Sequence, residues 1–396
     1  MKNYKNVKYL LGYNKYKKII TKPYDSLACD FISEFSLKLN KHNLIKDYPD
    51  LKTLAFWCRK KNIDYLKSKF NTSELRLGIG LLFHITPSNI PTNFAYSLIF
   101  GILTGNSNIV KLPSKKFPQV EIICNCLKSI LKKKKFKSLI NSITIVRYND
   151  NNEFTKKISS ICDGRIIWGG NKTIKEIRKF ELQERSIDIA FSDRFSLSLI
   201  NVKKISKMNN FDLNLLIQKF YNDTYLVDQN ACSSPHLIIW NDEKFEKIKK
   251  KFWYKLNEYT KKKYKPPLVS SMDKVTKLHE DIIKLENFKK YNVISKNLYV
   301  ITLKNLNKEI CKLRGKWGYF YEYSSKNIDK CFNILNKNCQ TLTYYGFSKK
   351  ILKNLIEKNK VKGIDRIVPI GQALDIGLYW DGYDLNKVLS RVIDLK

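Results

Sequence analysis

The spacing of apolar residues changes after residue 75. Residues 27–32 and 51–66 carry apolar side chains three or four positions apart, which predicts a mostly helical segment over residues 1–75. Residues 75–85 form a nearly continuous apolar run that contains Gly78 and Gly80, as expected for a strand buried on both faces. The two patterns therefore predict a helical segment followed by a buried sheet.

Helix-like and strand-like segments alternate from residue 94 to residue 191. The predicted helices are 94–103, 119–131, 153–162 and 172–184, and the predicted strands are 108–112, 143–148, 165–168 and 187–191. This alternation is typical of a doubly wound parallel sheet in an α/β protein. Such sheets bind ligands at the carboxyl ends of their strands.

The second half of the chain repeats the alternation less regularly. Helices are predicted over 214–226, 243–259 and 274–288, and strands over 237–240, 298–303 and 341–347. A domain boundary is predicted near residue 205. No internal repeat and no low-complexity linker is visible in the sequence.

Composition favours an ordered protein without disulfide bonds or a metal. Of 396 residues, 43% are hydrophobic and 13% aromatic, enough to bury more than one core. The nine cysteines match neither a disulfide framework nor a CxxC zinc pattern, and the four histidines are scattered. Residues 1–18 lack the apolar core of a signal peptide, and the longest apolar run, 94–103, is shorter than the roughly 20 residues of a membrane span. We therefore expect a cytoplasmic protein with no transmembrane segment.

The net charge of +38 leaves two interpretations open. It is compatible with a polyanionic partner such as nucleic acid, an anionic membrane or a phosphate-rich ligand. The alternative is compositional, because the lysines are spread over the whole chain and accompany abundant Asn and Ile. No zinc finger, helix-turn-helix or RNA-binding aromatic motif accompanies them, so no specific nucleic-acid partner is predicted.

The main candidate for chemistry is Cys232, in the segment Asp-Gln-Asn-Ala-Cys-Ser-Ser-Pro over residues 228–235. A cysteine nucleophile needs an accessible thiol on a turn with backbone N–H groups nearby, and small or amide-bearing neighbours suit that need. The alternative is a buried structural cysteine ahead of the strand predicted over 237–240.

Asn89 is the second candidate. It lies between Pro87 and Pro91, which stiffen the loop after the strand predicted over 75–85. A fixed side-chain amide can hold the oxyanion of a reacting carbonyl, an effect worth about 3 kcal/mol. The alternative is an ordinary turn asparagine beside proline.

Two further segments suggest nucleotide binding. Lys111 lies in a short predicted strand after Gly105, and Ser114 and Lys115 follow it; lysine donates to hydroxyl groups and attracts phosphate. Gly169 and Gly170 lie between a predicted strand and a predicted helix, where glycine lets the backbone approach a pyrophosphate. Solvated surface charge is the alternative for both lysines, and a single Gly-Gly pair is weak evidence by itself.

In order and character these segments resemble the aldehyde dehydrogenase superfamily, most closely its LuxC-type acyl-CoA and acyl-protein reductases. Gln229 and Cys232 match the Gln-x-x-Cys nucleophile motif, and residues 87–91 match the Pro-x-Asn-x-Pro pattern. Residues 363–384 resemble the C-terminal signature of the LuxC-type reductases, in which Arg366 and Asp381 are expected to be structural or close to the cofactor. The resemblance covers about residues 76–384.

The resemblance implies a role for each candidate. Cys232 would be the nucleophile and Asn89 the oxyanion donor, and the cofactor-binding residues would be Lys111, Ser114, Lys115, Gly169 and Gly170. Lys115 stands where the common pattern has a glutamate, and its charge favours the 2′-phosphate of NADPH, with NADH as the alternative. Leu112 departs from the pattern, because it separates Lys111 from the Pro-Ser pair.

One expected residue is absent. Hydrolytic aldehyde dehydrogenases carry a glutamate base in a Glu-Leu-Gly-Gly segment, and the matching residues 191–196 contain no glutamate. Without that base an enzyme-bound thioester would react poorly with water, which favours reduction of a thioester over oxidation of an aldehyde. Asp193 could substitute as a base, so aldehyde oxidation stays open.

We therefore expect an aldehyde dehydrogenase-like α/β protein. Residues 1–75 would pack on a nucleotide-binding domain over 76–205, followed by an α/β catalytic domain over 206–370 and a C-terminal segment over 371–396. The expected reaction is the NADPH-dependent reduction of a fatty acyl thioester, acyl-CoA or acyl-protein, to the aldehyde. The family also implies an acyl-protein synthetase partner and a homo-oligomer. The alternatives are an aldehyde-oxidising dehydrogenase and a non-catalytic protein that binds polyanions through its basic surface.

Overall fold

A computed structural model describes residues 6–14, 17–70, 73–149 and 151–396, and it separates the chain into two compact units. The first unit comprises Met1–Asp193 and Tyr383–Lys396, and the second comprises Arg194–Gly382. The boundary predicted near residue 205 thus lies inside the second unit, because the strand at 195–200 pairs with strands of that unit.

The helices and strands account for most of the described chain. The α-helices are α1 (Ser26–Asn40), α2 (Pro49–Trp57), α3 (Lys60–Phe70), α4 (Asn93–Leu103), α5 (Pro118–Leu131), α6 (Asn152–Ile161), α7 (Asn171–Arg178), α8 (Val202–Ser206), α9 (Asn210–Thr224), α10 (Glu246–Lys263), α11 (Val269–Lys284), α12 (Ile328–Phe332), α13 (Lys349–Lys358) and α14 (Leu385–Val388). Short 3₁₀ helices span Asn43–Lys46, Lys134–Ser142, Tyr225–Val227 and Ile310–Lys312. The strands are β1 (Lys8–Leu11), β2 (Leu75–Gly78), β3 (Leu81–Ile85), β4 (Ser107–Leu112), β5 (Ile143–Arg147), β6 (Gly164–Trp168), β7 (Ile187–Phe191), β8 (Phe195–Ile200), β9 (Pro235–Trp240), β10 (Phe288–Ser295), β11 (Leu298–Leu303), β12 (Tyr319–Ser324), β13 (Cys339–Tyr345), β14 (Arg366–Pro369), β15 (Tyr379–Trp380), β16 (Tyr383–Asp384) and β17 (Ser390–Ile393).

The first unit is built on a six-stranded sheet in the order β1-β5-β4-β3-β6-β7. Its last five strands are parallel, and β1 joins the edge antiparallel to β5. The strands are apolar on both faces because helices cover both, and Phe83, Ile109 and Val146 form part of one fully buried layer. The helices predicted over residues 1–75 are present as α1–α3, and α1 packs against α5 of the same unit.

The second unit contains a seven-stranded sheet in the order β10-β11-β12-β9-β8-β13-β14. All strands except β10 run parallel, and separate hydrophobic cores contain residues from alternate positions of the strands. Leu237 and Ile239 of β9 belong to one core, whereas Ile238 and Trp240 belong to the other. The strand order places β9, which follows the Cys232 loop, in the middle of the sheet.

The prediction of a single strand over residues 75–85 is wrong. β2 and β3 are separate strands, and the break lies at Gly80, whose φ is +135°. The N–H of Gly80 donates to Asn106 Oδ1 at 3.0 Å, and the carboxylate of Asp163 occupies the place of a Cβ. Only glycine fits this conformation and this contact. β2 instead pairs antiparallel with the C-terminal β17.

Neither a membrane-spanning helix nor a metal-binding cluster occurs among the described residues. None of the helices in this part of the chain is both long enough and apolar enough to cross a membrane. Within the same residues, no cluster of three or more His, Cys, Asp or Glu side chains is arranged to hold a metal ion.

Candidate functional site

The loops after β3 and β6 lie at one edge of the first sheet. The two strands are parallel neighbours, but the chain continues from β3 to β4 on one side and from β6 to β7 on the other. Open parallel sheets bind ligands where the strand order reverses in this way, at the carboxyl ends of the strands. Asn89 lies in the loop after β3, and Gly169 and Gly170 lie after β6, so the fold brings three predicted residues to this edge.

Gly170 leads into α7 and faces open space. Its φ of −67° is available to any residue, so backbone conformation does not require glycine there. A Cβ built on Gly170 would meet no heavy atom of the described chain within 4 Å, whereas one on Gly169 would lie 3.2 Å from Thr173 Cβ. The first turn of α7 carries no acidic side chain, and the free N–H groups of a helix start attract anions. The turn therefore has both the space and the polarity to accept phosphate.

The loop that carries Asn89 is fastened at both ends. Thr86 donates its backbone N–H and its hydroxyl to the Lys111 carbonyl, at 3.2 and 2.8 Å. At the other end α4 begins at Asn93, whose N–H donates to the Ile90 carbonyl at 3.2 Å. The Asn89 side chain is exposed between these anchors. The loop can thus present an amide to a ligand, and the oxyanion role of Asn89 stays a prediction.

The predicted lysines differ in their surroundings. Lys111 lies in β4 beside β3, half-buried, with Nζ 4.9 Å from the centre of the Tyr148 ring, a cation–π contact. Ser114 and Lys115 follow the strand and are exposed, and Lys115 Nζ lies 5.0 Å from the centre of the Phe117 ring. Lys111 is therefore partly oriented by the fold, whereas Lys115 is an exposed surface cation that could reach a phosphate.

A buried polar cluster beneath this edge was not anticipated from the sequence. His84 in β3 contacts Ser97 Oγ through Nδ1 at 2.7 Å and Asn108 Oδ1 through Nε2 at 3.0 Å. Trp168 at the end of β6 donates its indole N–H to the same Ser97 hydroxyl at 3.0 Å. Burial lowers the pKa of His84 to about 4, so the imidazole is neutral at neutral pH. The cluster joins β3, α4, β4 and β6 through side-chain hydrogen bonds. A lone histidine inside the apolar run was its only sequence signal.

Cys232 belongs to the second unit, in the loop between α9 and β9, and Gln229 holds that loop in place. Gln229 is 1% exposed and has a left-handed backbone, with φ of 57°. Its side-chain oxygen accepts the N–H groups of Gly318 and Tyr319 at 2.9 and 3.0 Å. Its amide nitrogen donates to the carbonyls of Pro235 and Tyr319, both at 3.3 Å. All the hydrogen-bonding capacity of the amide is therefore spent on positioning the backbone around the cysteine.

Cys232 itself is half-buried, and its backbone is fixed by a serine. The hydroxyl of Ser196 in β8 donates to the Cys232 carbonyl at 2.6 Å and accepts the Thr341 N–H at 3.1 Å. On the other side, the Ser234 N–H donates to the Ala231 carbonyl at 3.0 Å and closes a tight turn. A partly accessible thiol on a rigid turn suits a nucleophile better than a core residue.

A buried lysine supports the same loop from behind. Asp228 also has a left-handed backbone, with φ of 54°, and its carbonyl accepts the Trp317 N–H at 3.2 Å. The ammonium group of Lys274 donates to the Trp317 carbonyl at 3.1 Å and to the Lys296 carbonyl. Burial lowers the pKa of Lys274 to about 8. Nothing in the sequence separates this lysine from the many surface lysines, so its role could not be predicted.

Residues 191–196, where hydrolytic aldehyde dehydrogenases carry their glutamate base, contain Arg194, which has a structural role here. Arg194 is 8% exposed and forms an ion pair with Asp365, and its second terminal nitrogen donates to the Cys339 carbonyl at 2.5 Å. Asp193 is exposed. Arg194 thus anchors the start of β8, and a role for Asp193 as a base stays a hypothesis.

The C-terminal motif folds around Arg366. Its guanidinium donates to the carbonyls of Ala373 and Asp375 at 3.0 and 2.7 Å and stacks on the Trp380 ring at 4.6 Å. Asp381 accepts a hydrogen bond from Gln340. Both motif residues, Arg366 and Asp381, therefore have structural contacts within the second unit.

Comparisons with known proteins show the family and the fold of the chain. The family model described as "Acyl-CoA reductase (LuxC)" matches residues 56–391. A long-chain acyl-protein thioester reductase from Vibrio harveyi is 23% identical over 327 residues, 79% of this chain, and the chain spans 63% of the length of that relative.

Two solved structures share the fold. Aldehyde dehydrogenase 21 from Physcomitrella patens has a TM-score of 0.64 at 12% identity, with 93% of this chain and 85% of that one covered. Salicylaldehyde dehydrogenase from Pseudomonas putida G7 has a TM-score of 0.62 at 12% identity, with 93% and 84% covered. The predicted aldehyde dehydrogenase-like fold is confirmed.

Proposed function

Since this chain belongs to the acyl-CoA reductase (LuxC) family, we propose that it reduces a fatty acyl thioester to the aldehyde through a Cys232 acyl-enzyme, with NADPH as reductant. The observation that carries the proposal is the Cys232 loop, in which Gln229 and Ser196 fix the backbone while the thiol stays partly accessible. A partly accessible thiol on a fixed backbone suits a nucleophile.

The acyl transfer would proceed in two stages. The Cys232 thiolate attacks the carbonyl carbon of the acyl donor, and the donor thiol leaves once the tetrahedral intermediate collapses. The Asn89 amide and the N–H of Cys232 hold the negative oxygen during this step. The nicotinamide cofactor supplies the hydride that reduces the bound thioester. The resulting thiohemiacetal then releases the aldehyde and returns the thiolate.

The absence of a glutamate in residues 191–196 supports reduction over hydrolysis. A water molecule that attacked the acyl-enzyme would need a base, and the buried Arg194 at this point of the chain is already paired with Asp365. The acyl-enzyme would therefore persist long enough to accept a hydride.

Turnover provides the direct test. The purified protein is mixed with acyl-CoA thioesters of increasing chain length, and the loss of reduced nicotinamide is followed by absorbance with NADPH and with NADH. The proposal expects aldehyde as product and a preference for NADPH. Formation of free acid from an aldehyde, without reduction of any thioester, would instead select the oxidising dehydrogenase.

The acyl donor and the assembly form part of the same proposal. We infer an acyl-CoA or acyl-protein donor, an acyl-protein synthetase as the partner that loads it, and a homo-oligomer. The net charge of +38 fits an acidic carrier or a phosphate-bearing thioester. If acyl-CoA is inert, the same assay with an acylated carrier and the synthetase distinguishes a protein donor from a wrong assignment.

We expect Gly170→Ala to raise KM for NADPH about tenfold, equivalent to about 1.4 kcal/mol of binding. The added methyl group meets nothing within 4 Å in the described chain, so its cost would come from the cofactor. Steady-state kinetics and thermal melting measure the two effects separately. Gly377→Ala is the matched control, because a Cβ there also meets nothing within 4 Å. An unchanged KM for Gly170→Ala would mean that the cofactor phosphates do not bind at this turn.

We expect Lys115→Glu to weaken NADPH and spare NADH. Replacing an exposed cation by an anion reverses the attraction for the 2′-phosphate, so the NADPH/NADH ratio of kcat/KM should fall about tenfold or more. Lys116→Glu makes the same charge change at the adjacent exposed position and should alter the ratio much less. Equal effects of the two variants would mean that the field of the whole basic surface, and not Lys115, attracts the cofactor.

We expect Asn89→Ala to lower kcat by 10²–10³-fold, roughly the loss measured when one oxyanion donor is removed elsewhere. KM for the thioester should change little, because the lost hydrogen bond forms in the transition state. Asn93→Ala, at the start of α4, controls for disturbance of the loop. Retention of wild-type kcat by Asn89→Ala would place the oxyanion donor elsewhere.

A further inference from the structure

Two cysteines of the second unit lie side by side, away from the proposed nucleophile in the sequence. Cys311 is in the 3₁₀ helix Ile310–Lys312, and Cys339 is the first residue of β13. Their sulfur atoms are 3.5 Å apart. A disulfide bond brings the two sulfur atoms to about 2.05 Å, so the thiols, already in contact, have to move closer together for the bond to form.

The two thiols have different environments, which gives each one a role. Cys311 is half-buried, and Cys339 is completely buried. The two sulfur atoms are within hydrogen-bond distance, with either thiol able to donate, and this contact lowers the pKa of Cys311 and raises the pKa of Cys339. The cationic groups of Arg314 and Arg194 act in the same direction on Cys311. An accessible thiol in positive surroundings, next to a second thiol, is the arrangement of a redox-reactive pair.

We propose that Cys311 and Cys339 form a reversible thiol–disulfide site, with a small disulfide such as oxidised glutathione as the oxidant. The Cys311 thiolate attacks one sulfur of glutathione disulfide, and a mixed disulfide forms as one glutathione thiolate leaves. The Cys339 thiol then loses its proton and attacks the Cys311 sulfur, and the second glutathione leaves as thiol. Overall, two protein thiols are oxidised and one glutathione disulfide is reduced to two thiols.

The bridge would act on backbone that supports the proposed nucleophile. The Cys339 carbonyl accepts from Arg194, and two residues further along β13 the Thr341 N–H donates to Ser196 Oγ. That hydroxyl donates to the Cys232 carbonyl. A disulfide would pull Cys339, the first residue of β13, towards the 3₁₀ helix. The pull would therefore act two residues away from Thr341, whose N–H donates to Ser196.

Intact-protein mass spectrometry tests the site. The full-length Cys232→Ala variant is used, so that the half-buried Cys232 thiol cannot compete for glutathione. After incubation with oxidised glutathione we expect a loss of two hydrogens without added glutathione, a peptide in which residues 311 and 339 are linked, and full reversal by dithiothreitol. In the same background Cys339→Ala should retain one glutathione on Cys311, and Cys311→Ser should show neither product.

Cys331→Ser serves as a matched control, because Cys331 and Cys339 are buried cysteines of the same core. This variant should still form the bridge. Three outcomes would overturn the proposal: glutathione that accumulates on Cys311 while Cys339 is intact, a linkage between other cysteines, or an unchanged mass in fully oxidised glutathione. Thermal melting of the reduced variants verifies that each is folded when it is tested.

Discussion

Replacement of Cys232 by alanine is expected to lower kcat for thioester reduction on the order of 10⁴-fold or more, as the loss of a covalent nucleophile does in other enzymes. Without the thiol no acyl-enzyme forms, and the hydride has no enzyme-bound thioester to reduce. Intact-protein mass spectrometry after mixing with acyl-CoA should show an acyl adduct on the wild type and none on the variant. The fold should persist, because the carbonyl that Ser196 holds is a backbone group and survives the change.

Cys29→Ala is the control for this experiment. Cys29 in α1 is half-buried like Cys232, but burial raises the pKa of its thiol to about 11, so it is a poor nucleophile at neutral pH. Its replacement should leave both the adduct and turnover intact. An adduct that survives in the Cys232→Ala variant, or turnover similar to that of the wild type, would disprove the acyl-enzyme mechanism.

Replacement of Gln229 by methionine is expected to lower the free energy of unfolding by about 4 kcal/mol, since buried polar groups that lose their partners cost about 1–3 kcal/mol each. Methionine keeps the length of the side chain but can serve neither the N–H groups of Gly318 and Tyr319 nor the carbonyl of Pro235. Chemical denaturation measures the loss. Turnover should also fall, because the same hydrogen bonds hold the Cys232 loop.

Two variants control for the Gln229 result. Gln183→Met makes the same substitution at an exposed position and should change stability by less than about 0.5 kcal/mol. Gln229→Glu keeps an acceptor for the two N–H groups. It should be destabilised less than the methionine variant, because a protonated carboxyl group can also donate to one of the carbonyls. A methionine variant as stable as the wild type would mean that the loop does not depend on this amide.

The sequence predicted the first sheet well because its strands carry apolar residues on both faces and helices such as α5 and α6 have one buried apolar face. β4, β5, β6 and β7 lie within a residue or two of the predicted strands. What could not be predicted depends on contacts between distant residues. The break at Gly80 results from Asn106 and Asp163, and α7 ends before residue 184 because Arg165 captures the carbonyls of Ile177 and Phe180.

The candidate site shows the same division. Motif spacing predicted roles for Cys232, Asn89 and the Gly169–Gly170 turn, because the proposed roles rest on the chemistry of these residues themselves. The supporting residues act through geometry that only the folded chain defines. Gln229 was visible as part of a motif, but its four hydrogen bonds were not, and Ser196 lay in a segment interpreted only for its missing glutamate.

The pairing of β17 with β2 sets an order of events during protein synthesis. The second unit is one continuous stretch, Arg194–Gly382, whereas the first unit also needs Tyr383–Lys396. Its late residues are bound by early ones: Arg76 donates to the Ser390 carbonyl, and Asn106 donates to the Leu389 carbonyl. On the ribosome the second unit can complete its sheet before β17 is synthesised. In the first unit, β2 lacks its partner strand β17 until then. The unit that is translated first is therefore the last to be finished.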